Sequence, residues 1–344
     1  MHKVALQESD LTEIFAQFPQ KKILVVGDLM LDFYLWGKAS RISPEAPVPV
    51  VDIERSEYRL GGAANVVHNI YSLGAIPMIV GVVGDDHSAQ EFYQILDSFD
   101  ISESFLVKDV SRPTTVKSRI FANNQQVMRY DLEKKQDINQ QIEKNIIKNL
   151  DSALKSADAL VLQDYNKGVL TPKIIRFAIK KAKEKGIPIT VDPKVNNFCE
   201  YKSCTVLKPN LVEVKKNYGQ DIVNDKDLKK AARELCKKLS PEYLIITLSE
   251  KGLVIFDKEE NVHQIPTFAK EVYDVSGAGD TVISVLSLCL SCGVDIITST
   301  ILANHAAGAV CGKRGINPAT VEDILLSFRY HKFSEDNIPA PFKT

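Results

Sequence analysis

ALVLQDYNKGVLTPKIIRFAIKKAKEKGIPITV, residues 159–191, holds two short apolar runs on either side of one amphipathic helix. Residues 159–163 and 187–191 are nearly continuous in apolar side chains, the pattern of strands buried on both faces. Between them, Ile174, Ile175, Ala178, Ile179 and Ala182 fall on one face of a helix over 171–185. Thr171 can cap that helix, Pro172 suits its first turn, and Gly186 suits its C-terminal stop. Strand, helix and strand in this order read as a unit of a parallel sheet.

The same alternation extends in both directions. Residues 22–27, 78–83, 205–207, 243–248 and 253–256 read as strands, and 225–239 as a helix with Leu228, Ala231, Ala232, Leu235 and Leu239 inward. The fold class predicted is α/β, with a mostly parallel central sheet and helices on both faces. Two regions break the rhythm. Residues 33–59 contain PEAPVPVVDIERSEYR, and residues 112–131 read RPTTVKSRIFANNQQVMRYD. Both alternate apolar and polar side chains and read as antiparallel strands outside the main sheet, a small β-lid inserted into one domain spanning 1–344. Residues 331–344, with Pro339 and Pro341, read as a weakly ordered tail. Tyr34, Leu35 and Trp36 suggest an apolar lid face that needs cover, so a homodimer paired through the lids is expected.

Composition narrows the function classes. The chain has 344 residues, 44% hydrophobic and 25% charged, as in ordinary globular proteins. Lys and Arg number 43 against 44 Asp and Glu. No broad positive field exists for nucleic acid or an anionic membrane, so an anionic substrate needs a local site. No apolar run approaches the ~18 residues of a membrane span. The first residues lack the apolar core of a secretory signal, and the six cysteines show no disulfide framework. A cytoplasmic protein is expected. Cys289 and Cys292 lie in an apolar stretch without a second ligand pair, which favours core thiols over zinc. His68, His263 and His305 have no spacing that suggests a metal site.

Four short stretches could carry chemistry. DVSGAGD, residues 274–280, precedes an apolar helical run over 281–292. Gly277, Ala278 and Gly279 let a ligand approach the backbone, and N–H groups at a helix start form an anion site. Asp280 beside such a site makes sense as an acceptor of a hydroxyl proton; an ordinary capped turn is the alternative. Gly61 and Gly62 precede a helix over 65–73, where Asn65 could bond a polyol, or the glycines serve only a turn. Asp28 and Asp32 follow the first strand, where ligands bind in doubly wound sheets; they grip sugar hydroxyls or cap a loop. Asn210 and Glu213 could organise a hydrated Mg2+, or form a capping box.

Together these pieces, in this order, resemble the ribokinase-like (PfkB-type) carbohydrate kinases over residues 20–330. The resemblance implies a ribokinase-like three-layer sandwich with a β-lid over the sugar. It also implies ATP and Mg2+ as cofactors, with a monovalent cation left open. Asp280 would be the catalytic base and the 277–280 turn its anion hole. Asn210 and Glu213 would position Mg2+ and phosphates through water. Thr247, Ser249 and Gly252 would line the nucleotide site, with Asn304 and Gly308 near the adenine; close helix packing is the alternative for the small residues around 306–309. Ser276 stands where the family usually has Thr, and the hydroxyl is kept.

SRISPEAPVPVV (40–51), RLGGAANVVHNIYSLGA (59–75), NQQVMRYD (124–131), DYNKGVLT (164–171), VDPK (191–194) and EVYDVSGAGDT (271–281) narrow the resemblance to family members acting on a heptose 7-phosphate at O1. Asp164, in one of these segments, is expected by the resemblance to bind the sugar. A phosphorylated sugar requires a second anion site, for which Lys167, Lys194, Arg119 and Arg129 are candidates. No HxGH motif follows Asp280, so a separate nucleotidylyltransferase is expected to act downstream. A kinase for another sugar or sugar phosphate, or a sugar-sensing binder without catalysis, stays open. A dinucleotide oxidoreductase is disfavoured, because VVGDLMLD lacks the GxGxxG loop.

Overall fold

The computed structural model describes residues 6–123, 125–269, 272–313 and 315–331. Its core is organised around β1 (Lys22–Gly27), buried at every position after Lys22. Ile23 and Val25 face one hydrophobic core, and Leu24 and Val26 face another. A period of two on a strand buried from both sides demands two helical layers. Each such side chain contributes about 1.5–3 kcal/mol relative to leaving it exposed.

The other strands are β2 (Leu29–Ile42), β3 (Pro49–Gly62), β4 (Ile76–Val83), β5 (Leu106–Lys108), β6 (Thr115–Ala122), β7 (Gln125–Leu132) and β8 (Ala159–Gln163). They continue with β9 (Ile189–Asp192), β10 (Val206–Leu207), β11 (Tyr243–Thr247), β12 (Leu253–Asp257) and β13 (Val262–Ile265). The main sheet has nine strands in the order β13-β12-β11-β10-β9-β8-β1-β4-β5. It is parallel from β11 to β5, and β12 and β13 add an antiparallel edge. Helices Ala63–Ser72, Ala278–Ser291 and Ile296–Cys311 cover one face; Gln140–Leu154, Pro172–Lys185 and Asp225–Leu239 cover the other. The helix opened by Thr171 ends at Gly186 in the left-handed conformation, φ 74°.

The chain runs from β1 outward to β4 and β5, then returns to β8 on the other side of β1. At such a reversal the loops leaving neighbouring strands diverge and open a crevice at the strand C-termini. Gly27, Gln163 and Asp192 end the three strands there.

A second sheet of four strands, ordered β3-β2-β6-β7, contains the two segments that broke the alternation. Two details differ from expectation. The first pair starts at Leu29 and runs to Gly62, and its central pair, β2 with β6, is parallel. The parallel pairing follows because the chain returns through the main sheet between them. Tyr34 is not on an open apolar face: it is buried, beneath the guanidinium groups of Arg59 and Arg119. The exposed large apolar side chains of this sheet are instead Ile42, Ile53, Val127, Met128, Tyr130 and Leu132. Past His331, the expected tail lies outside the described residues. Among the described residues no helix is long and apolar enough to cross a membrane.

Candidate active site

Gly277 caps helix Ala278–Ser291 in the left-handed conformation, φ 82°. This lets the chain turn directly into the helix, three residues before the apolar run at 281. Asp280 therefore stands inside the first helical turn, where the dipole favours an anion. It is 3% exposed. Its Oδ2 accepts from Asn65 Nδ2 at 2.8 Å, and its Oδ1 accepts from the Tyr165 hydroxyl at 2.6 Å and Gln163 Nε2 at 3.0 Å. Burial pushes its pKa up to about 6, and the charge of Asp192 adds to the rise. Asn65, Tyr165 and Lys208 oppose it. A carboxyl poised near neutrality suits proton transfer.

Behind the turn, Lys208 and Asp192 form a buried ion pair at 3.1 Å. A Cβ on Gly279 would stand 3.6 Å from Lys208 Nζ, so the ammonium lies just under the glycine turn. The turn opens onto a cavity of about 550 Å³. Gly277, Ala278, Gly279 and Asp280 meet Lys194, Lys208 and Asn210 at one end of its wall. Thr247, Ser249, Gly252, Asn304 and Ala307 line the same cavity.

Gly61 is required by contact. A Cβ there would lie 2.2 Å from Asp32 Oδ2. Asp32 is buried and bonded to Arg119. Burial raises its pKa, and Arg119 opposes that rise. Arg119 and Arg129 are directly opposed across β6 and β7. Arg129 holds Asp131 through two bonds of 3.0 Å and keeps half its side chain exposed.

Several expected site residues have other work. Asp28 is buried and accepts the backbone N–H groups of Tyr165, Lys167 and Val169 at 2.8, 3.0 and 3.1 Å. It fastens the loop after β8 and offers no free oxygen to a sugar. Asp164 accepts from Asn166 N and the Tyr201 hydroxyl; burial, then the charge of Asp28, lift its pKa to about 6. Lys167 pairs with Glu133. Lys194 pairs with Glu213 and lies on the wall with Asn210 and Thr247, a wall to which neither lid arginine contributes. Asn210 and Glu213 form the reciprocal capping box of helix Leu211–Tyr218. Gly308 packs against backbone: a Cβ there would meet Phe268 C at 2.8 Å, whereas its neighbour Ala307 faces the cavity.

Gln163, Tyr165, Asp192 and Lys208 were not assigned roles from sequence. Each had a signal of position: Gln163 and Asp192 are polar residues closing apolar strands, and Tyr165 and Lys208 follow strand ends.

A buried carboxylate in a glycine-led helix turn that opens onto a cavity is an arrangement suited to moving an anionic group onto a hydroxyl. Residues 20–323 match the family described as pfkB family carbohydrate kinase. The bifunctional protein HldE of Aliarcobacter butzleri is 43% identical over 302 residues, covering 88% of this chain and 63% of that protein. The protein of the same name from Helicobacter hepaticus is 45% identical over 304 residues, with the same coverage. The chain thus spans about 63% of these relatives' length. Among solved structures, phosphofructokinase-2 from Escherichia coli in complex with potassium superposes with a TM-score of 0.74 at 17% identity, over 90% of this chain and 98% of that one. Ribokinase of Arabidopsis thaliana complexed with ribose and ATP gives 0.68 at 19%, over 91% and 99%. This chain belongs to the pfkB family of carbohydrate kinases.

Asp28→Asn is expected to destabilise the fold by about 2–3 kcal/mol, because a charged acceptor of three backbone donors is lost. Urea unfolding measures this. A sugar-gripping role would instead raise KM and leave stability unchanged.

Proposed function

We propose that the protein transfers the γ-phosphoryl group of ATP to O1 of D-glycero-β-D-manno-heptose 7-phosphate, giving the 1,7-bisphosphate, on the route to ADP-heptose for lipopolysaccharide. The observation that carries the reading is the Asp280 carboxyl, its pKa raised to about 6, set in a glycine-led helix turn on the wall of the cavity. The segments quoted for the heptose branch, and identities of 38–45% to proteins named HldE, support the choice of sugar.

Asp280 accepts the O1 proton as O1 bonds to the γ-phosphorus and the bond to the ADP oxygen breaks. N–H groups of the 277–280 turn stabilise charge on the moving group. Lys208, buried beneath the turn, adds positive potential there. Asn65 and Gln163 hold the carboxylate in place. Thr247, Ser249, Gly252, Asn304 and Ala307 receive the nucleotide.

The donor set fits Mg2+. Among the described residues no group of three or more His, Cys, Asp or Glu forms a cage. Asp192 stands on the cavity wall and Glu213 beside it, on Lys194, as suits a hydrated ion bound mainly through nucleotide phosphates. Mg2+ there would neutralise charge on the phosphate oxygens, with Asn210 and Glu213 reaching it through water.

The ester phosphate at O7 is received at the lid. Arg119 and Arg129 face each other across β6 and β7, held by Asp32 and Asp131 respectively. A guanidinium carries five N–H donors in a planar fork, so an anion between the two can be bound by donors those carboxylates leave over. Exposed Val127, Met128, Tyr130 and Leu132 on β7 favour a lid-paired homodimer. The reaction is placed in the cytoplasm, where ATP is supplied.

Asp280→Asn is expected to lower kcat by about 10²–10⁴ while nucleotide still binds. In the wild type, activity should fall as pH drops through about 6, because the base must be ionised and burial has raised its pKa. Phosphorus NMR of products from a panel of sugars and sugar phosphates should show a new anomeric phosphate only with the heptose 7-phosphate. Equal turnover of fructose 6-phosphate would overturn that choice. Light scattering should give twice the chain mass at micromolar concentration, and Met128→Glu with Leu132→Glu should return the monomer.

A further inference from the structure

Three donors reach the Asp280 carboxylate, and they are not equivalent. Asn65 lies in the first turn of helix Ala63–Ser72 and Gln163 ends β8; both are fully buried. Gln163 is also fixed to Asp192 at 3.1 Å. Tyr165 stands beyond the strand end, on the cavity wall and partly exposed. Its connection carries Asn166 at φ 54° and Gly168 at φ 89°, and contains no regular helix or strand before Pro172. Its hydroxyl makes the shortest of the three contacts, 2.6 Å.

An acceptor hydroxyl ready for transfer must come within about 2.6–3.2 Å of the same carboxylate. Asn65 and Gln163 approach from the protein interior, so the sugar has to come from the cavity, whose wall Tyr165 helps to form. We propose that Tyr165 occupies the acceptor's place on Asp280 and keeps the base from activating water until a sugar hydroxyl displaces it. The inference rests on Asp280 being the base. The reaction it suppresses is hydrolysis: a water oxygen bonds to the γ-phosphorus, the bond to the ADP oxygen breaks, and the water proton passes to Asp280 and on to solvent. The phenol stays a neutral donor throughout, since burial and the nearby Asp280 charge raise its pKa well above 10. Lys194 lies 5.4 Å from the ring centroid and steadies it while paired with Glu213.

The full chain with ATP and Mg2+ but no sugar tests this. Tyr165→Phe should raise ADP release at least tenfold over the wild type. In the nucleotide-free protein, carbon NMR of the Asp280 carboxyl should show it titrating above the wild-type value of about 6, since a donor to the ionised form is gone. The other charges facing Asp280, namely Asp192, Lys208 and Lys194, are the same in both proteins. Sugar-free hydrolysis within twofold of wild type overturns the inference, whatever the titration shows. If Tyr165→Phe does not fold, Tyr165→Leu takes its place under the same criterion. Should Asp280→Asn keep full sugar-dependent turnover, the base reading fails instead; if it loses turnover while Tyr165→Phe hydrolyses no faster, only the gate fails.

Discussion

A carboxylate taken out of water at the start of a helix governs the organisation of this molecule. Asp280 is nearly inaccessible, and an ionised group so placed is tolerated only where donors surround it. Those donors come from distant parts of the chain: Asn65 from the helix after the first two lid strands, Gln163 and Tyr165 from the end of β8 and the loop beyond. Asn69 carries the same arrangement further, accepting from Thr281 and from Ala319 N, each at 3.0 Å. The crevice at the sheet reversal is therefore built as one hydrogen-bonded unit around this carboxylate. The residual penalty is expressed as a raised pKa, the property a base needs near neutral pH.

The lid is joined to that unit by polar contacts. Arg59 donates to Ile316 O at 2.8 Å, and Ile316 N donates to the Tyr34 hydroxyl at 3.1 Å. Asp32, the acid that Gly61 leaves room for, binds Arg119 on β6. The central lid strands thus carry charges inward, while β7, with all eight residues exposed, stays outside. The sheet is anchored where Leu29, Leu31, Leu60 and Val116 enter the main core, and its β7 edge stays in solvent.

Much of the fold was legible because it rests on local periodicity. Residues 159–191 form the strand, helix and strand their pattern implies, with Thr171 and Gly186 at the helix ends. The lid segments were recognisable by alternation, but the parallel pairing of β2 with β6 was not, because strand direction depends on the route of the intervening chain. Cys289 is buried in helix Ala278–Ser291 among apolar side chains, as a core thiol would be.

At the site, residue types and spacing determined that a glycine turn, a carboxylate and an Asn–Glu pair exist in one chain, since these are properties of short segments. Only the tertiary structure decided which acids are spent on structure. Asp28 and Asp32 are four residues apart, yet one binds three backbone donors and the other a lid arginine. It also brought Gln163, Tyr165, Asp192 and Lys208 to the base from three different strand ends. A buried charge is stabilised by whatever folding places within about 3 Å of it, and that distance is not written in any one segment.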